Sequence, residues 1–158
     1  MTISIEVEDE AWTQMLPGLE ALTDTAVKAA LAACGVSEHQ TEVFVLFTDD
    51  SAIAELNGEW RAKPKPTNVL SFPAPGGMPL PDGAPRPLGD IVLASGVIAA
   101  EALDAGKTLQ DHCTHLIVHG CLHLLGYDHE DEAEAAEMEQ LEIDILKGLG
   151  ISDPYERQ

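Results

Sequence analysis

The segment HCTHLIVHGCLHLLGYDH, residues 112–129, holds five of the six histidines of this chain. Thr108, ahead of it, is a typical residue to cap the start of a helix, and Gly126 is a typical residue to end one. In an α-helix, His119 and His123 are about 40° apart around the axis and one turn apart along it. The segment therefore predicts a helix that presents two imidazoles on one face.

A third histidine follows the predicted helix. Gly126 can adopt the left-handed conformation that reverses the chain, so that His129 can turn back towards His119 and His123. Three imidazole ligands with an open fourth position are the pattern of a catalytic zinc site, whereas structural zinc usually has four protein ligands. We therefore predict one Zn²⁺ ion, or another transition metal ion, bound by His119, His123 and His129.

Other side chains of the segment are kept out of the metal set. His115 lies one turn before His119 on the same face, where it supports a ligand, lies near the substrate or has a packing role. Cys113 and Cys121 point away from that face and are predicted to be core thiols. His112 is expected to be exposed near the start of the helix.

The histidine spacing also raises a protease hypothesis. The pattern H-x3-H-x2-G-x2-H matches the histidine and glycine positions of metzincin metalloproteases, in which a glutamate follows the first histidine. Gly120 occupies that position here. Without this carboxylate, peptide hydrolysis lacks its usual general base, so a metzincin-like metalloprotease is the weaker alternative.

The flanking segments predict an α+β fold. Strands are expected at residues 2–7, 42–47, 68–72 and 88–94 because they are alternating, β-branched or aromatic. Helices are expected at residues 17–34, from a cap at Asp49 or Asp50 to Trp60, from a cap at Ser95 to about Gly106, from Thr108 to Gly126, and at roughly 130–147. Residues 73–87 hold six of the ten prolines and are predicted to form an irregular loop.

These elements do not alternate as regular βαβ units. We therefore expect a small mixed sheet of about four strands, packed with about five helices. The length of 158 residues fits a single domain, residues 1–158, with one core.

Charge is distributed unevenly along the chain. Eight Lys and Arg residues oppose 28 Asp and Glu residues, for a formal net charge of −20, which repels a polyanion such as RNA. Much of the acid lies at residues 130–144, which we interpret as a solvated face of the last helix. Arg61, Lys63 and Lys65 form a basic cluster on a predicted loop that can still meet a phosphate.

The sequence also bears on the compartment. The N-terminal residues lack the basic and apolar regions of a signal peptide, and no apolar stretch approaches the ~20 residues that span a bilayer. The three cysteines are odd in number and form no C-x-x-C pair, which suits a reducing compartment. A soluble, cytoplasmic protein is expected.

HGCLHLLGYDH, at residues 119–129, resembles the signature of the YbeY family. Three further segments match that family in the same order, namely EWRAKPKPTNVLSFP at 59–73, LGDIVLA at 88–94 and DPY at 153–155. Together they cover most of the chain from Glu59 onward, except the loop at 73–87. The region before Glu59 matches only in its general pattern of strands and helices.

The resemblance implies a zincin-like fold with zinc on His119, His123 and His129. It further implies a single-strand-specific endoribonuclease that processes rRNA, especially the 3′ end of 16S rRNA, in ribosome biogenesis and ribosome quality control. The implied partners are single-stranded RNA, the small ribosomal subunit and its assembly factors, with no DNA and no membrane expected. Arg61 corresponds to the functional arginine of the family, and Asn68 and Ser71 match its TNVLSFP segment.

The chemistry of these residues suits phosphodiester cleavage. A metal cation can polarise a phosphoryl oxygen or activate water, and Arg61 can pair with a phosphate through two hydrogen bonds. An alternative role for Arg61 is to cap a helix end or to pair with a nearby acid. The proton acceptor stays open among hydroxide on the metal, Asp128 and the 2′-hydroxyl of the RNA.

Two features of the sequence allow more than one interpretation. Trp60 and Phe72 are candidates for stacking on bases, and both are equally suited to a core. A non-catalytic ribosome-assembly factor, in which the metal site only stabilises the fold, is the alternative to the enzyme.

Overall fold

The computed structural model describes residues 2–36, 41–61, 67–74, 86–127 and 131–155. Within them the strands are β1 (Thr2–Val7), β2 (Thr41–Thr48), β3 (Val69–Pro73) and β4 (Arg86–Ala94). The helices are α1 (Ala11–Met15), α2 (Leu19–Ala33), α3 (Asp50–Arg61), α4 (Ser95–Ala105), α5 (Leu109–Leu124) and α6 (Glu132–Gly148). The predicted α+β class, the four strands and the five longer helices are confirmed.

The four strands form one mixed sheet in the order β1-β2-β4-β3. Strand β2 pairs in parallel with both β1 and β4, whereas β3 pairs antiparallel with β4. Side chains of β2 alternate between buried and half-buried, as expected of a strand in the middle of a sheet. Strand β3 thus lies at one edge of the sheet formed by the described strands.

Helix α5 occupies the centre of the main core. Its apolar side chains pack with those of β2, β4 and α2, among them Val45, Ile91 and Ala30. Cys113 and Cys121 are buried in this core, as predicted. On the other face of the sheet a smaller cluster joins Ile53 of α3 to Val92 of β4. The core thus fixes α5 against the sheet, and with it the histidines that α5 carries.

Helix α1 was not expected from the sequence. It is only five residues long, and Trp12 is its single buried residue. The Trp12 indole donates a hydrogen bond to the Thr48 carbonyl oxygen at 2.8 Å, and the Ala11 N–H donates to Asp9 Oδ1 at 3.0 Å. A helix this short spans little more than one turn, so its sequence shows no periodic pattern. Tertiary contacts, which a sequence does not reveal, hold it in place.

The helix caps agree with expectation in two places and differ in a third. Asp49 Oδ1 accepts from the Ala52 N–H at 2.8 Å, and Thr108 Oγ1 accepts from the Asp111 N–H at 3.1 Å. The prediction that Ser95 caps α4 is wrong, because Ser95 begins the helix and its hydroxyl donates to Asp9 Oδ2 at 2.5 Å.

The loop was predicted to span residues 73–87, but residues at both ends of that range belong to strands. Pro73 is the last residue of β3, and Arg86 and Pro87 are the first residues of β4. The middle of that loop, residues 75–85, lies outside the described residues. Among the described residues, no helix combines the length and the apolar character needed to cross a bilayer.

Candidate metal centre

His119 and His123 meet on one face of α5, one turn apart. Their ring centroids are 4.5 Å apart and the ring planes are inclined by 83°. The two Nε2 atoms are 3.0 Å apart. Two imidazole nitrogens bound to one tetrahedral zinc ion lie about 3.3 Å apart, given Zn–N bonds of about 2.0–2.1 Å. The observed pair is therefore spaced as two ligands of one ion would be.

The hydrogen bonds of the two Nδ1 atoms suit this role. His119 Nδ1 contacts Glu142 Oε1, and His123 Nδ1 lies 3.0 Å from the Tyr127 carbonyl oxygen. A carbonyl oxygen and an ionised carboxylate only accept hydrogen bonds, so each Nδ1 carries the proton and each Nε2 a lone pair. When both rings are neutral, these two lone pairs are available to bind one cation.

The end of α5 brings the Tyr127 carbonyl to His123. Gly126 has φ of 101°, a conformation that other residues rarely adopt. Its N–H bonds to the His123 carbonyl at 3.1 Å, and the Tyr127 N–H bonds to the Leu122 carbonyl at 3.0 Å. This Schellman turn confirms the chain reversal that Gly126 predicted, and it fixes the acceptor for the His123 ring.

The structure does not describe every predicted site residue. His129 and Asp128 lie outside the described residues, and Arg61 ends α3 with a side chain that is not described. Within residues 2–127 and 131–155, excluding the gaps named above, no group of three His, Cys, Asp or Glu side chains could hold a metal ion. The full ligand set and the role of Arg61 therefore stay predictions.

Glu142 is the residue of the site that the sequence interpretation missed. Most of the acidic run is exposed on α6, as expected, but the Glu142 side chain is 0% exposed. The same face of α6 buries Met138, Ile145 and Leu146. Glu142 follows Met138 by four residues and precedes Ile145 by three, so helical spacing places it on the apolar face of α6. This spacing was the signal in the sequence that could have identified Glu142.

Glu142 connects three side chains from different parts of the chain. Its Oε1 meets His119 Nδ1, and its Oε2 accepts from the Tyr155 hydroxyl. His115 Nε2 lies 3.7 Å from Oε2 and 3.4 Å from the Tyr155 oxygen. We call His115, His119, Glu142 and Tyr155 the Glu142 cluster. His115 thus lies beside His119 and contacts the other two members of the cluster.

The cluster favours an ionised Glu142. Burial raises the pKa of this carboxyl, but its interactions with His115, His119 and Tyr155 outweigh burial and lower the pKa to about 2. Burial, and then the neighbouring carboxylate, raise the pKa of Tyr155 above its usual value of 10.0. At neutral pH, Tyr155 is therefore a donor and Glu142 an acceptor.

His112 is not the exposed side chain that we expected. Its side chain is 12% exposed, and its Nε2 lies 3.0 Å from Glu101 Oε1. Asn68 Nδ2 donates to the same oxygen at 3.1 Å. His112 therefore ties α5 to α4 and to the start of β3, a structural connection that its position near a helix start did not reveal.

Gly120 faces the sheet. A Cβ at this position would lie 3.1 Å from Ile91 Cγ2 and 3.1 Å from Ser71 Oγ, and Ser71 Oγ donates to the Gly120 carbonyl at 3.3 Å. Any side chain at this position therefore requires Ile91 or Ser71 to move. The chain thus lacks the metzincin carboxylate at the position that follows His119.

Comparisons with known proteins give a consistent result. The model of the family described as Endoribonuclease YbeY matches residues 4–150. The chain is 54% identical to endoribonuclease YbeY of Dinoroseobacter shibae, with 98% of this chain and 91% of that protein covered. It is 48% identical to endoribonuclease YbeY of Paramagnetospirillum magneticum, with all of both chains covered.

A solved structure shares the fold. The solution structure of TM1509 from Thermotoga maritima aligns with a TM-score of 0.55 at 23% identity, covering 99% of this chain and 100% of that one. The zincin-like label given from the sequence is consistent with that likeness. The predicted family and the predicted enzyme class are confirmed: this chain belongs to the endoribonuclease YbeY family.

Proposed function

We propose that this protein is a metal-dependent, single-strand-specific endoribonuclease with Zn²⁺, or another transition metal ion, on His119, His123 and His129. The observation that carries the proposal is the pair of Nε2 atoms 3.0 Å apart, each on a ring whose Nδ1 meets an oxygen acceptor. His129 follows the Gly126 turn by three residues, close enough in sequence to supply the third ligand.

The residues around the metal position have separate roles in this mechanism. His119, His123 and His129 would hold the cation, which would supply Lewis-acid polarisation of the scissile phosphate. Glu142 and the Tyr127 carbonyl hold the two imidazoles in one tautomer and orientation. Arg61 neutralises the charge that develops on the phosphoryl oxygens, through two parallel hydrogen bonds.

Partial exposure of the histidine pair supports a catalytic role over a purely structural one. The His119 side chain is 24% exposed, whereas the Glu142 carboxylate behind it is fully buried. A structural zinc site is normally closed by four protein ligands, and a catalytic site keeps one position for substrate or water. The exposed side of the pair is where RNA would approach.

The family name supports RNA as the substrate, and the resemblance of the sequence motifs motivates the proposed cellular role. Its members are named endoribonucleases, so RNA is the proposed substrate, and single-stranded rRNA near the 3′ end of 16S rRNA is the proposed target. We place the protein in the cytoplasm, as one domain of residues 1–158, acting with the small ribosomal subunit and its assembly factors. Ribosome maturation and quality control are the proposed processes.

Cleavage of a single-stranded 16S rRNA 3′ fragment tests the proposal. Samples are the purified chain, the chelated chain, the zinc-restored chain, and the His123→Ala and Arg61→Ala variants. Arg86→Ala, an exposed arginine at the start of β4, is the matched control. We expect chelation and His123→Ala to abolish cleavage, Arg61→Ala to slow it by roughly 100-fold, and Arg86→Ala to leave it unchanged.

Two results would contradict the proposal. Cleavage that survives both chelation and His123→Ala would show that the histidine pair is not catalytic. Loss of helical circular dichroism on chelation, without cleavage by the zinc-loaded chain, would favour the assembly factor with a structural metal site.

A further inference from the structure

We propose that Tyr155 is a positioning residue for the metal site, acting on His119 through Glu142. The inference rests on the proposed function insofar as His119 is a metal ligand. It adds that a residue distant in sequence from the histidines sets how well His119 binds the ion. The one hydroxyl group of Tyr155 carries this effect.

Glu142 has two oxygens with different tasks. Oε1 meets His119 Nδ1, and Oε2 accepts from the Tyr155 hydroxyl. The carboxylate is planar, so a hydrogen bond at Oε2 also fixes the direction in which Oε1 points. The rotation of Glu142, and with it the ring orientation of His119, therefore depends on Tyr155.

The buried position of Glu142 makes this hydrogen bond important. A carboxylate that is 0% exposed cannot replace a lost donor with bulk water at no cost. Without the Tyr155 hydroxyl, the polar neighbour at Oε2 among the described residues is His115, whose Nε2 is 3.7 Å away. The carboxylate would then turn towards a new partner and draw away from His119.

Tyr155 is itself held in place from two sides. Its backbone N–H donates to Asp153 Oδ1 at 2.8 Å, and Lys107 Nζ donates to the Pro154 carbonyl at 2.9 Å. Its ring stands edge-on to the His115 ring, with centroids 5.5 Å apart and planes at 86°. The hydroxyl is thus delivered to Glu142 by a fixed segment that Lys107 anchors to the start of α5.

Tyr155 contributes little apolar burial, which separates a positioning role from a packing role. The residue is 41% exposed, so its ring is not part of the core. Its hydroxyl, by contrast, reaches a fully buried acid. Replacing only the hydroxyl should therefore change the metal site far more than the stability of the fold.

Metal binding by a set of four chains tests this proposal. We compare the unmodified chain, Tyr155→Phe, Glu142→Gln and the double variant, using Co²⁺ as a spectroscopic probe and thermal unfolding of the metal-free protein as the stability readout. Glu132→Gln, an exposed carboxylate on the same helix, is the matched control. Removal of an oxygen partner of a metal-binding histidine typically lowers metal affinity by about 10- to 100-fold, which we expect for Glu142→Gln.

The double variant identifies the route of the effect. We expect Tyr155→Phe to weaken Co²⁺ binding by roughly three- to tenfold alone, and to have no further effect once Glu142→Gln is present, since coupled residues are not additive. Equal effects of Tyr155→Phe in both backgrounds would overturn the proposal, as would an unchanged affinity. A large loss of thermal stability with Tyr155→Phe would show a packing role instead.

A second measurement separates this proposal from the proposed function. Long-range ¹H–¹⁵N spectra of the metal-free protein report which nitrogen of His119 carries the proton. We expect the proton on Nδ1 in the unmodified chain and a mixture of tautomers in Tyr155→Phe. If Co²⁺ fails to bind any chain but the tautomers change as expected, the metal site is wrong and the positioning role stands. If the tautomers are identical, the positioning role is wrong.

Discussion

Ser95 shows how one hydroxyl group connects distant parts of this chain. It donates to Asp9 Oδ2, while Asp9 Oδ1 accepts from the Ala11 N–H. The bond from Ser95, and then the bond from Ala11, lower the pKa of Asp9 below its usual 3.8. An acid with a lowered pKa in the folded protein stabilises the fold above its ordinary pKa, and loses that effect as the pH falls through the folded value.

We predict that Ser95→Ala lowers the free energy of unfolding by about 1 kcal/mol at pH 7, since one hydrogen bond to a carboxylate is lost. The difference from the unmodified chain should disappear as the pH falls through the lowered pKa of folded Asp9, because below that pKa the carboxyl is protonated in both proteins. Urea unfolding at several pH values measures this, with Ser51→Ala on the exposed side of α3 as control. An equal difference at every pH would show that Ser95 does not act through the Asp9 charge.

The three cysteines should differ in reactivity. Burial raises the pKa of Cys113 and of Cys121 to about 12, and it raises that of the half-buried Cys34 as well. A thiolate is the reactive form, so all three are expected to react slowly at pH 8 and Cys34 to react first. Alkylation followed by mass spectrometry checks the order, with the urea-unfolded chain as control. Rapid labelling of Cys121 in the folded chain would contradict the packing of α5.

Among the elements, α5 packs against β3 and β4, and Gly120 is the residue of α5 that faces Ile91 and Ser71. The hypothetical Cβ at Gly120 has two neighbours at 3.1 Å, whereas one at Gly148 in α6 has none within 4 Å. The same substitution in two helices therefore meets opposite surroundings.

We predict that Gly120→Ala destabilises the fold by about 1–3 kcal/mol, because the added methyl group forces Ile91 or Ser71 to move. Gly148→Ala should be neutral or stabilise slightly, because alanine favours a helix by up to about 1 kcal/mol over glycine. Chemical unfolding of both variants makes the comparison. Equal stability of the two would mean that α5 can shift away from the sheet without cost.

The elements that the sequence predicted are those with a long periodic pattern. The pairing of His119 with His123 followed from helical spacing alone, and the turn at Gly126 followed from the backbone freedom of glycine. Helix α1 and the partner of Ser95 were missed because both depend on contacts between residues far apart in the chain. Glu142 was missed because a run of acids hides one member that faces inward.

At the scale of the whole molecule, the net charge of −20 opposes an RNA substrate. The Debye length falls from about 30 Å at 0.01 M salt to about 10 Å at 0.1 M, so added salt first screens distant acids and only later weakens direct phosphate contacts. The sequence predicts this charge fully, since it needs no knowledge of the fold.

We therefore predict that binding of single-stranded RNA strengthens between about 0.01 and 0.1 M salt and weakens above that range. Fluorescence anisotropy of a labelled oligonucleotide at constant metal concentration measures this, with an uncharged-backbone analogue as control. A steady fall of affinity from the lowest salt concentration would show that local contacts outweigh the overall repulsion.

The order of residues in the chain determines when the Glu142 cluster can form during protein synthesis. Tyr155 follows His115 by 40 residues. A chain grows by about 5–20 residues per second during synthesis, so roughly 2–8 s separate the incorporation of His115 and Tyr155. Within that interval the nascent chain gains His119 and then Glu142, and the Tyr155 hydroxyl that donates to Glu142 is added last. The complete cluster can therefore form only after Tyr155 has been added.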